Sequence, residues 1–217
     1  MEEIKDMERI ASEHTNIAKQ EDLYANDIKL LAKLTIRRAK AREMLAENEV
    51  ELLKIREHLA EKTKKLIEKK EEVKVLLKFG DSGLKIEKNQ AIYNEKVSEV
   101  QREIAKIQVK TAAVETEIAG VKLQLANKIL DGAKKRSKLA KRQLEYVKKV
   151  REKAPDEKIS KAKEIYLKIQ KDLTKIEADI IEINKRIMKK QNRLADLKKH
   201  HSDKLIEREK IRPLLNI

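Results

Sequence analysis

FGDSG, at residues 79–83, breaks a helix-forming pattern that runs from the start of the chain. Gly80 supplies a helix stop, because glycine enters the left-handed conformation at a helix end without steric penalty. Asp81 or Ser82 can then accept hydrogen bonds from the free N–H groups that open the next helix. A second break, KAPDEK at residues 153–158, puts Pro155 where a helix interior rejects it, with Asp156 as a candidate cap. The predicted helices cover 2–78, 84–153 and 156–211.

Short turns make successive helices antiparallel. The expected fold class is therefore all-α, three long helices in an antiparallel coiled-coil bundle that forms one elongated domain over 1–217. Doubling back about residue 81 places residue i opposite 162 − i, and doubling back about 155 places j opposite 310 − j. The third helix then ends near residues 99 and 63, so the first hairpin tip, 64–98, projects as a two-helix arm. The rival arrangement is an extended hairpin that dimerises along its third helix.

Composition agrees with this class. Charged residues make up 42% of the 217 residues and aromatics 2%, so a compact core built on large rings is excluded. The chain is 40% hydrophobic and strongly periodic, which argues against disorder. The third helix carries the clearest heptads: Ile159, Tyr166, Leu173, Ile180, Ile187 and Leu194, interleaved with Ala162, Ile169, Ile176 and Ile183. This seam weakens at His201, Lys204 and Arg208. The second helix has a seam from Ile86 through Val100, Ile107, Val114 and Val121 to Leu125, after which the spacing relaxes near Gly120 and Gly132 and predicts a bend. In the first helix the expected seam is the column Ile10, Ile17, Tyr24, Leu31, Arg38, Leu45, Leu52, Leu59, Leu66 and Val73, with a mixed partner column that includes Ile28, Leu34, Ile55 and Leu76.

Motifs for catalysis are lacking. GDSG matches part of a serine-protease motif, but a helical hairpin offers no oriented His and Asp, so Ser82 reads as a cap. None of His14, His58, His200 and His201 has a Glu three residues before it, as di-metal bundles require. Asp196 and His200 share a helix face and read as a solvated pair. No phosphate-cradling glycine motif is present. Zero cysteine excludes disulfides and thiolate metal sites. The acidic, amphipathic opening MEEIKDMERI is not a signal peptide, and no apolar run is long enough to span a bilayer. The expectation is a cytoplasmic, non-enzymatic protein with no cofactor, no metal and no small-molecule substrate.

A net charge of +15 points instead to an anionic partner. The densest run is Lys134, Lys135, Arg136, Lys138, Lys141, Arg142, Lys148, Lys149 and Arg151. It falls opposite the acidic start of the first helix, where residues 1–28 hold eight acids and three bases, so much of it is neutralised within the bundle. A second group is not answered in this way. Lys33, Arg37, Arg38, Lys40 and Arg42 meet Lys122 and Lys128 of the second helix and Lys185, Arg186, Lys189 and Lys190 of the third, within roughly 15 Å of helix. This belt is the candidate anion-binding site. With almost no aromatics for base stacking, the partner is double-stranded nucleic acid, bound without sequence preference, or an anionic lipid surface.

In size and helix count the chain is similar to a BAR domain, a dimeric three-helix coiled coil with a basic face. Its first hairpin also resembles that of the ESCRT-III and PspA families of membrane-remodelling proteins. BAR arms project at the second turn, whereas here the overhang falls at the first. The mixed seam of the first helix leaves apolar surface open, which points to a homo-oligomer, most simply a dimer; the resemblance implies peripheral attachment to a membrane. The alternatives are a chromatin-like nucleic-acid binder and a passive scaffold for partner helices.

Overall fold

The structure, a computed structural model, describes residues 2–77 and 82–211. Three helices account for them: α1 (Glu2–Leu77), α2 (Ser82–Arg151) and α3 (Asp156–Ile211), with no strand among the described residues. The chain is an all-α antiparallel helical bundle in which α1 packs on α2 and α2 on α3. Gly80 and Asp81 lie outside the described residues, as do the side chains of Val73, Leu76 and Ser82. α2 runs unbroken through Gly120 and Gly132.

The second turn is fully described. The Ala154 N–H donates to the Lys149 carbonyl at 3.0 Å and the Lys153 N–H to the Val150 carbonyl at 3.2 Å. Lys153 takes a φ of 51°, so a lysine fills the left-handed position where glycine usually closes a helix. The Pro155 carbonyl accepts from the Lys158 and Ile159 N–H groups, which makes Pro155 the N-cap. Asp156, expected as the cap, is instead the first residue of α3, where its carboxylate meets the positive end of the helix dipole.

Contacts gather into two compact units: unit 1 is Met1–Ile36 with Glu117–Gln191, and unit 2 is Arg37–Thr116 with Asn192–Ile217. In both, α1 meets α2 mainly through alanines. The buried positions of α1 in unit 1 are Ala11, Ala18, Ala25 and Ala32, matched on α2 by Ala119, Ala126, Ala133, Ala140 and Val147. In unit 2 they are Ala39, Ala46, Leu53, Ala60 and Ile67 on α1 and Ala91, Ser98, Ala105 and Ala112 on α2. Both columns repeat every seven residues, as a packed helix pair demands. Where the contact residue is alanine the two backbones can approach closely; Leu53 and Ile67 are the larger members of the column in unit 2.

This overturns the expected seam of α1. Tyr24, Leu31, Leu45, Leu59 and Leu66 are all more than half exposed. The register moves as well. Ion-paired residues of α1 and α2, such as Glu21 with Arg136, Arg42 with Glu115, and Glu71 with Lys88, have numbers that add to 157–159 rather than 162. The shift is about one helical turn, and it aligns the alanine columns: Ala25 falls level with Ala133, and Ala46 with Ala112.

α3 stays about the expected sum of 310: partner numbers add to 307 for Lys128 and Asp179, for Lys135 and Asp172, and for Glu103 and Lys204, and to 313 for Arg136 and Glu177. In unit 1, Val121, Leu125 and Ile129 pack with Ile183 and Ile187, while Leu139 packs with Ile169 and Leu173. Each such aliphatic side chain contributes about 1.5–3 kcal/mol when fully buried. Tyr146 and Tyr166 stack with ring centroids 6.5 Å apart. In unit 2, Arg208 and Glu209 lie beside Tyr93, Val97 and Gln101. Past this level the α1·α2 hairpin continues, joined by the packing of Ile67 on Ala91 and the Lys70–Glu87 and Lys88–Glu71 pairs.

Candidate anion-binding surface

Arg136, from the densest basic run, does not face solvent. Its guanidinium forks onto Glu21 of α1 with two hydrogen bonds of 3.1 Å and reaches Glu177 of α3 at 2.9 Å. Burial works against its charge, but the two carboxylates outweigh burial and raise its pKa. His14 lies in the same surroundings. Its pKa is lowered first by burial and then by Arg136, against smaller opposing effects of Glu13 and Glu177.

Four more of the run are paired: Lys135 with Asp172, Arg142 with Glu145, Lys148 with Glu152, and Arg151 with Glu8. Lys134, Lys138, Lys141 and Lys149 have no acidic partner among the described residues. The acidic start of α1 thus supplies Glu8 and Glu21 to the run, although the register differs from expectation by a turn.

The eleven belt residues divide between the units. Arg37, Arg38, Lys40 and Arg42 belong to unit 2, where the shifted register brings Glu115 to Arg42 at 3.4 Å. The other seven belong to unit 1. There Lys128 is held by Asp179, Lys190 by Glu117 and Lys185 by Glu182. The Asp179 hydrogen bond raises the pKa of Lys128. What is left in unit 1 is Lys33 on α1, Lys122 on α2, and Arg186 and Lys189 on α3, none with an acid partner among the described residues. The observed registers place these four at one level: Lys33 lies level with Leu125, and Lys122 with the stretch around Arg186 and Lys189.

The same level carries side chains that charge-based reasoning passed over. On α1, Leu30, Leu31 and Leu34 are exposed, and on α3 so are Ile181 and Met188. Within one turn of each free cation of α1 and α3 there is an apolar group in water. Sequence did hold a signal for them, since all five stand outside the columns that end up buried. That signal is usable only once alanine is recognised as the contact residue.

Among the described residues there is no group of three His, Cys, Asp or Glu side chains able to hold a metal, and no helix is long and apolar enough to cross a membrane. In comparison with known proteins, no family model matches the chain and no curated protein does.

Proposed function

We propose that the chain is a non-enzymatic scaffold that self-associates and adsorbs peripherally to anionic lipid surfaces. The observation that carries this reading is the mixed character of one level of unit 1. Lys33, Lys122, Arg186 and Lys189 lack acid partners there, and Leu30, Leu31, Leu34, Ile181 and Met188 are exposed around them. Cations attract the headgroups, each basic side chain near an anionic surface contributing on the order of 1 kcal/mol. Exposed leucine and methionine side chains add shallow burial at the headgroup boundary. A nucleic-acid duplex would satisfy the cations alone, because phosphate contacts make no use of apolar groups.

Co-sedimentation with vesicles tests this. Vesicles rich in phosphatidylserine should pellet the chain, and phosphatidylcholine vesicles should not. Combining Lys122→Glu, Arg186→Glu and Lys189→Glu should weaken anionic-vesicle binding about 100-fold or more. Reversing Lys138, Lys141 and Lys149 should do less. Leu30→Ser with Leu34→Ser should weaken vesicle binding without changing any binding to duplex DNA. Salt-sensitive duplex binding without vesicle binding would replace the lipid reading with the nucleic-acid one.

A further inference from the structure

We infer that the ion pairs beside the α1·α2 contact, and not the contact itself, hold α1 in its register, and that without them α1 slides along α2 by seven residues. The buried column repeats every seven residues on both helices. In unit 2 the observed register puts Ala46 level with Ala112, Leu53 with Ala105 and Ala60 with Ser98. A slip of seven residues rebuilds the same kind of contact. Ala60 then meets Ala91 or Ala105, and Leu53 meets Ser98 or Ala112. The larger side chain still lies on a small one, so packing of this column discriminates little between the three alignments.

Charge decides between them. Seven ion pairs among the described residues join α1 to α2, all at positions three or four residues from a member of the column. Three of them make a ladder in unit 2: Glu57–Arg102 at 2.8 Å, Lys64–Glu95 at 3.5 Å and Glu71–Lys88 at 2.9 Å. At these flanking positions the observed register sets no like charges together. A slip of seven residues one way sets Glu57 against Glu95 and Lys64 against Lys88. The other way sets Glu49 against Glu115, Lys64 against Arg102 and Glu71 against Glu95. Neither slip brings a single opposite pair together at these positions among the described residues. Flanking charges of this kind choose the alignment of paired helices. The slip measures about 10.5 Å. In unit 1 it carries Lys33, Leu30 and Leu34 that far from Lys122, so the ion pairs also decide whether the mixed level is assembled; only this consequence rests on the proposed function.

Cysteine pairs read the register, since the chain has none of its own and a disulfide needs Cα atoms within about 7 Å. With Ala60→Cys held constant, Ser98→Cys reports the observed alignment, and Ala91→Cys and Ala105→Cys report the two slips. On mild oxidation the full chain should close the 60–98 bond at least about tenfold faster than either of the others. Glu57→Lys, Lys64→Glu and Glu71→Lys together set like charges against Arg102, Glu95 and Lys88. After one slip the same variant sets opposite charges together at 57 with 95 and at 64 with 88, so the preferred bond should become 60–91. Adding Arg102→Glu, Glu95→Lys and Lys88→Glu should return it to 60–98. Salt tests the unaltered ion pairs, should the charge variant fail to fold. About 1 M salt, which shortens screening to about 3 Å, should raise closure of 60–91 or 60–105 relative to 60–98 at least about fivefold. A 60–98 bond that stays dominant in the charge variant and at high salt would overturn the inference. Vesicle binding plays no part in this readout, so the register and the lipid surface fail separately.

Discussion

Arg136 ties three helices of unit 1 at a single point. Its side chain is 15% exposed, so its two carboxylates are not interchangeable with water. Arg136→Lys keeps the charge and loses the planar fork onto Glu21, which should cost about 1 kcal/mol in urea unfolding. Arg136→Met strands Glu21 and Glu177 half-buried and should cost about 2 kcal/mol. His14, beside it, gives a pH dependence of definite sign. Its folded pKa lies below the ordinary value of 6.5, so the unfolded chain takes up the proton first. The stability held by neutral His14 is fully present above that value and is lost as pH falls through and below it. A second cation would then face Arg136, only partly offset by Glu13 and Glu177. Between pH 7.5 and 5.5 the unfolding midpoint of the native sequence should fall, and that of His14→Gln should fall less. Carboxylates such as Glu103, held low chiefly by its hydrogen bond from Lys204, titrate below this window.

At the scale of the helix, the turns and the α2·α3 seam were legible, and the inward face of α1 was not. Pro155 interrupts helix for a local steric reason that needs no knowledge of the partner, and the break expected at FGDSG lies where α1 has ended at Leu77 and α2 begins at Ser82. Ile169, Leu173, Ile183 and Ile187, read from the heptads, are among the buried residues of α3, so hydrophobicity and burial coincide along that seam, while Ile181 outside it is exposed. In α1 they separate. Ala18, Ala25 and Ala46 are weakly hydrophobic, yet they win the contact because two backbones can close over them, while the louder leucine column one residue earlier stays outside. The same substitution of signals moved the register by a turn and with it the level of the basic belt. α3 itself is unevenly held: its buried residues run from Ala162 to Ile187, and His201, Lys204 and Arg208 are only half covered. Hydrogen exchange should follow this division, since local opening is easiest where apolar contact is sparse. Amides at 200–207 should exchange at least about tenfold faster than those at 169–187. Equal protection would mean that the ion pairs of Lys204 with Glu103 and Glu207 hold the end as firmly as the aliphatic seam does.

For the molecule as a whole, positive charge is spread rather than focused. Unit 1 has 27 bases and 19 acids and unit 2 has 26 and 19, so the two carry nearly equal net positive charge. The proposed vesicle binding draws on Leu30 to Leu34 of α1, and a further exposed column runs from Leu45 to Leu66. Both columns are exposed because α1 turns its alanines inward and leaves its leucines in water. Global unfolding in urea tests that arrangement most directly, with Ala32→Leu and Leu30→Ala compared in the absence of lipid. Ala32 is 2% exposed and Leu30 60%. Ala32→Leu should lower stability by about 1–3 kcal/mol through overpacking, and Leu30→Ala should leave it within about 0.5 kcal/mol. The opposite order, with Leu30→Ala costly and Ala32→Leu tolerated, would contradict the account.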